Sequence, residues 1–242
     1  METEKPAGVD KHRERVIAAA TKLLAEGGRE AVSTRAVSTA AGTQAPTIYR
    51  LFGDKQGLLD AVAAHGWAQH LEEEAAIRPT GDPVEDLRTG WELNIAFALA
   101  NPALYCLMYG EPRPGGAASP AAAAAFAHLS SYIRSVAQAG RLRVGEERAA
   151  RLVQAAGSGT ALALIATAED QRDLTLSDLA REAVIAAITT GPPTEGSPGQ
   201  EPPGPAGAAV TLRAVLPQTS ALTANERGLL EDWLDRIAGE RP

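Results

Sequence analysis

Residues 33–59 read STRAVSTAAGTQAPTIYRLFGDKQGLL. Ser33 suits the N-cap of a very short helix over Thr34–Ala41, because its hydroxyl can accept from an unpaired amide of the first turn. Gly42 ends that helix. A second short helix follows from about Ala45 to Leu51, and Lys55 then opens a longer one reaching about Glu74. Helices of about two turns are not stable alone. They persist where another helix buries their apolar faces, as in a helix-turn-helix. The upstream chain supplies that helix: Asp10 caps a run to about Glu26 whose Val16, Ile17, Ala20, Leu23 and Leu24 recur at helical spacing, and Gly27-Gly28 stops it.

The faces of the short helices separate by role. Val37, Ala40 and Ala41 point inward on the first of the pair; Ile48 and Phe52, four apart, point inward on the second. At about 100° per residue, Pro46 and Arg50 project furthest from the Ile48 face, with Thr47 and Tyr49 on its flanks. That outward set suits duplex DNA. Arg50 can reach a phosphate or a guanine edge, Thr47 offers a methyl or hydroxyl, and Tyr49 can donate to a phosphate oxygen. Gln44, between Thr43 and Ala45 at the amino end where recognition helices meet bases, can pair with adenine. Thr34 and Arg35 begin one helix and Lys55 another, and helix N-termini attract phosphate. Any one of these residues is more often a solvated charge or a packing side chain; the combination is far more specific.

Charge follows the same division. The net charge over 242 residues is −7, which taken alone argues against nucleic acid. Residues 1–60, however, hold nine Lys/Arg against eight Asp/Glu, and no acid lies between Ala31 and Gly53. Local field matters more than the total for docking on phosphates. Abundant alanine, only 4% aromatics and no sustained apolar–polar alternation predict an all-α protein. The single cysteine, Cys106, excludes an internal disulfide and reads as a small buried hydrophobe. No apolar leader is evident, and the longest apolar runs fall short of the roughly 20 residues that span a bilayer, so a cytoplasmic protein without membrane contact is expected.

The quoted stretch resembles the N-terminal domain of the TetR family of transcriptional repressors. The resemblance rests on Ser33, Arg35, Val37, Ala41-Gly42, Thr47-Ile48-Tyr49, Phe52, Lys55 and Leu58. It departs from the family pattern at Ser38 (usually alanine), Thr43 (usually Val or Ile) and Gln44 (usually Ser or Thr). Thr43 offers a cap one residue earlier than Gln44. The resemblance covers about residues 10–70, with the helix-turn-helix at 33–52. It implies a homodimer on a near-palindromic, double-stranded operator, and a C-terminal helical bundle that dimerises and holds a small-molecule effector.

Residues 78–190 are read as that bundle, opened by Asp82-Pro83-Val84-Glu85 with an N-cap, a proline at the first position and an acid at the third. Helices near 146–168 and 177–190 are the expected dimer surface: Gly157, Ser158, Gly159 and Thr160 permit close approach, and Leu179, Ala183, Ala187 and Ile188 recur at helical intervals. Trp91, Asn94, Phe97, Tyr105, Met108, Tyr109 and Phe126 are the ligand-binding candidates, because ligand sites favour aromatic walls with few polar groups. Residues 191–208 carry five glycines and six prolines and read as a linker. Residues 209–242 then hold an amphipathic helix behind the capping box Thr223–Glu226, whose Leu229, Leu230, Trp233, Leu234 and Ile237 are expected to dock on the body of the chain or on a second subunit.

An all-helical enzyme is the weaker reading. The four histidines lack metal-ligand spacing, and no catalytic constellation, phosphate loop or dinucleotide fingerprint appears, so neither cofactor nor metal is expected. A helix-turn-helix that binds other proteins is the remaining alternative.

Overall fold

The computed structural model describes residues 7–110, 117–191 and 204–239. Its helices are α1 (Ala7–Ala31), α2 (Thr34–Ala40), α3 (Ala45–Phe52), α4 (Lys55–Glu74), α5 (Pro83–Ala100) and α6 (Pro102–Tyr109). They continue with α7 (Pro120–Gln138), α8 (Glu146–Ala166), α9 (Thr175–Ile188), α10 (Pro205–Val215) and α11 (Ala224–Ile237). The only β pairing among the described residues is an isolated antiparallel bridge between Leu142 and Thr189. The protein is all-α.

The chain divides into two compact units, Met1–Ile77 with Ala96–Ala125 and Arg78–Ile95 with Phe126–Pro242. Helices α5 and α7 contribute to both. Sequence reading placed one boundary near residues 70–78; the structure returns the chain to the first unit for α6, because Leu104 and Tyr105 are buried there beside Gly66 and Phe97.

In the first unit α1 begins before Asp10, so that residue sits inside the first turn and is not the cap expected of it. Gly27 and Gly28 leave helical geometry, Gly28 at φ +64°, so the predicted stop is a kink. Val16, Ile17, Ala20 and Leu24 turn inward with Val37, Ile48, Leu58, Leu59 and Val62. Together these side chains remove a continuous apolar face from water, which offsets the nucleation cost of the short helices.

The second unit packs α8 against α9. The Trp91 indole donates to Ser177 Oγ at 2.9 Å and lies over Gly157, where an added Cβ would come 3.5 Å from the ring. Gly157 and Ile188, expected at a subunit surface, are buried; Gly159, Leu179, Ala183 and Ala187 are exposed. Among the described helices, α8 alone is long and apolar enough to cross a membrane by composition, and Ala149, Val153, Ala161 and Leu164 bury its inner face.

Asp82 caps α5 by accepting from the Val84 amide at 2.8 Å, but Glu85 pairs with Arg88 at 2.6 Å and closes no capping box. Of the Pro/Gly-rich stretch, 192–203 lie outside the described residues, and Pro205–Ala208, read as linker, form the first turn of α10. Proline suits that position because its missing amide is unpaired there anyway. Helices α10 and α11 dock on their own chain through Gln138 Nε2 to the Ala214 carbonyl at 3.5 Å and Arg148 to the Gly239 carbonyl at 2.8 Å. The capping box forms, with Thr223 and Glu226 bonded reciprocally. The apolar stripe behind it divides, however: Leu234 is buried beside the Arg213–Asp235 ion pair, while Leu229, Trp233 and Ile237 stay exposed.

Candidate nucleic-acid interface

Helix α2 starts where Ser33 Oγ accepts from the Ala36 amide at 3.1 Å. The turn that follows needs Gly42 at φ +58°, a left-handed conformation costly for a residue with a Cβ. The Thr43 amide donates back to the Ser38 carbonyl at 2.9 Å and fixes the entry of α3. Thr43 does not cap α3. Its hydroxyl meets His12 Nε2 of α1 at 2.9 Å, and Gln44 is the N-cap residue, with no side-chain capping bond.

Ile48, 1% exposed, anchors α3 to the core, and the rotation of the helix then determines what faces water. Gln44, Pro46, Tyr49 and Arg50 are exposed; Thr43, Ala45 and Thr47 are half-buried. Arg35 is exposed and Thr34 half-buried at the start of α2. The residues expected to turn outward on α3 are thus exposed, except Thr47, which is half-buried. Phe52 closes α3 beneath the Arg13 guanidinium, 5.2 Å from the ring centroid.

Lys55 is exposed at the start of α4, but the free amides expected there are partly taken. Asp54 Oδ1 accepts from the Gly57 amide at 2.7 Å. A phosphate at this end would meet the lysine ammonium and not the N3 amide. Gly57 is also a close-approach residue: a Cβ there would lie 2.0 Å from the Phe52 carbonyl oxygen, so glycine lets α4 start directly against the end of α3. Sequence reading missed Asp54 as a cap, although an Asp immediately before a helix is a legible signal. It also missed His12 and Arg13, which act across the fold and leave no local trace.

Residues 16–62 match the family described as bacterial regulatory proteins, tetR family. This is a TetR-type helix-turn-helix domain. The TetR-type fold also extends over most of the chain. A TetR family protein from Vibrio parahaemolyticus is 25% identical with a TM-score of 0.50, the match covering 74% of this chain and 99% of that one. A protein of unknown function from Rhodococcus sp. RHA1 is 24% identical with a TM-score of 0.61, covering 78% and 100%. A TetR variant from Acinetobacter baumannii AYE, solved in complex with minocycline, is 22% identical with a TM-score of 0.55, covering 71% and 93%. No curated protein sequence matches the chain significantly. The match supports a DNA-binding role in the regulation of transcription.

The seven ligand candidates fall into both units. Phe97, Tyr105, Met108 and Tyr109 belong to the first, where ring centroids run 6.4 Å from Phe97 to Tyr105 and 4.8 Å from Tyr105 to Tyr109. Trp91, Asn94 and Phe126 belong to the second, where the Arg151 guanidinium lies 5.7 Å from the Phe126 ring centroid. Cys106 is half-buried, and burial pushes its thiol above the usual value.

Proposed function

We propose that this chain is a cytoplasmic transcriptional repressor that binds a near-palindromic operator as a homodimer and is released by a small, largely apolar ligand. The observation that carries the reading is the exposed set Gln44, Pro46, Tyr49 and Arg50 on α3, turned outward by buried Ile48 within a TetR-type domain. In the complex Gln44 and Arg50 meet base edges or phosphate, Thr47 reaches the groove floor with its methyl, and Tyr49, Arg35, Thr34 and Lys55 hold the backbone. Thr43, Ala45 and Pro46 line the entry of α3.

Dimerisation uses α8 and α9. Leu152, Leu176 and Leu179 are 43%, 47% and 70% exposed there, beside exposed Gly159, Ala163, Ala183 and Ala187. An apolar face of small residues between leucines favours close helix packing in a second copy. Two copies would set their α3 helices about 34–36 Å apart, in successive major grooves.

The test is selection of bound genomic fragments by the full chain, followed by fluorescence anisotropy on the recovered duplex at several salt concentrations. Arg50→Ala is expected to weaken binding about tenfold or more and to reduce the salt slope by about 1 if its partner is a phosphate. Gln44→Ala is expected to relax preference at particular base pairs. Unchanged affinity and sequence preference in both variants would mean that α3 is not the reading helix.

A further inference from the structure

The first unit holds a cleft of about 250 Å³ lined by no residue of α2 or α3. It lies where the stretch of α1 before the Gly27 kink and the last turns of α4 and α5 meet the first turn of α6. Leu24, Phe97 and Leu104 are its buried apolar floor. His70, 8% exposed, adds an imidazole held between rings, 4.6 Å from Phe97 and 4.9 Å from Trp67. Its Nε2 lies 3.7 Å from the buried Glu74 carboxylate.

Glu73 is exposed at the mouth, and the lining includes no lysine or arginine. The ends of α4 and α5 bring partial negative charge and the start of α6 partial positive charge, so the helix ends offset and the Glu73 carboxylate remains as the full charge at the mouth. An anion would meet like charge there. A neutral molecule would gain the floor alone, whereas a cation with an apolar body gains floor and mouth together.

We propose that this cleft is a small-molecule site for a compact organic cation with an apolar body on the order of ten heavy atoms. Its apolar part rests on Leu24, Phe97 and Leu104, and its charge lies toward Glu73. The occupant touches α1 and α4, the helices that support the reading head, so it selects one arrangement of that support. The effect on DNA rests on the proposed repressor reading; the binding itself does not.

Calorimetric titration of the full chain with benzyltrimethylammonium, benzyl alcohol and phenylacetate tests the assignment. The cation should bind saturably and more tightly than the other two. Glu73→Gln should weaken the cation about tenfold at low salt and leave the alcohol unchanged. Ala100→Trp, at the exposed end of α5, and Ala25→Trp, on the exposed side of α1, should each block the cleft and abolish binding while keeping parental thermal melting. Absence of saturable cation binding, equal binding of cation and anion, or survival of binding in both tryptophan variants overturns the site. Operator affinity measured with and without the cation separates the two claims: unchanged affinity beside confirmed binding sinks the coupling to DNA and leaves the site in place.

Discussion

Ser38 lies in the middle of α2, where its hydroxyl is buried with no hydrogen-bond partner among the described residues. Leaving such a group unpaired costs about 1–3 kcal/mol. Ser38→Ala is therefore expected to stabilise the protein by about 1 kcal/mol, read as a raised urea midpoint at unchanged slope. A lower midpoint would show that the hydroxyl has a partner after all. At this scale the outward face of α3 was legible, because the exposure of Gln44, Pro46, Tyr49 and Arg50 follows from the helical period once Ile48 is taken as core. The engagement of Thr43 was not legible. His12, which meets its hydroxyl, is 31 residues away in sequence and belongs to another helix.

The junction of α3 with α4 is a matter of elements. Gly57 is the third residue of α4, a position where most residues are accepted, and its sequence neighbours give no reason for glycine. The reason is the Phe52 carbonyl, 2.0 Å from where a Cβ would stand. Gly57→Ala must push α3 away from α4, at about 1–3 kcal/mol of stability. The displaced helix carries the proposed reading face, so operator affinity should fall even at temperatures where the variant remains folded. Gly57→Ala with parental DNA affinity would show that α3 tolerates the shift. The same scale explains the divided stripe of α11: a helical period predicts which residues share a face, but of this helix only Leu234 and Asp235 are buried, with Ala238 just past its end.

At the scale of the whole molecule, charge ties α5 to α9. Arg88 of α5 donates to Glu182 of α9 at 2.9 Å, and Arg181 donates to Glu182 at 2.9 Å and to Glu92 at 2.7 Å. Hydrogen bonds from Arg88, then Arg181, hold the Glu182 carboxyl at about 2, below its ordinary 4.5. A depressed folded value stabilises the protein above the unfolded value and loses that contribution as pH falls from about 4.5 toward 2. Glu182 is partly exposed, so solvent screening reduces the effect. Glu182→Gln should thus be less stable than the parent at pH 6 and nearly equal to it near pH 2, by urea unfolding at both. An unchanged difference across that window would refute the assignment. Separately, Leu179→Glu places a charge on the proposed subunit face. Sedimentation velocity should then show a monomer, with operator affinity lowered by at least about tenfold through the lost second reading head. A variant that remains dimeric moves the interface elsewhere.

Local signals alone determined that the chain is helical, where most helices start and stop, and that a helix-turn-helix lies near the N-terminus. Caps, glycines and a 3.6-residue period act within a few positions, so they are written in the sequence. Tertiary structure alone decided which apolar faces find partners: it returned α6 to the first unit, buried Gly157 beneath Trp91, and left Trp233 in water. It also brought α1, α4, α5 and α6 around one cleft. Those outcomes depend on contacts between residues tens of positions apart, and burial there is a property of the assembled helices and not of any one of them.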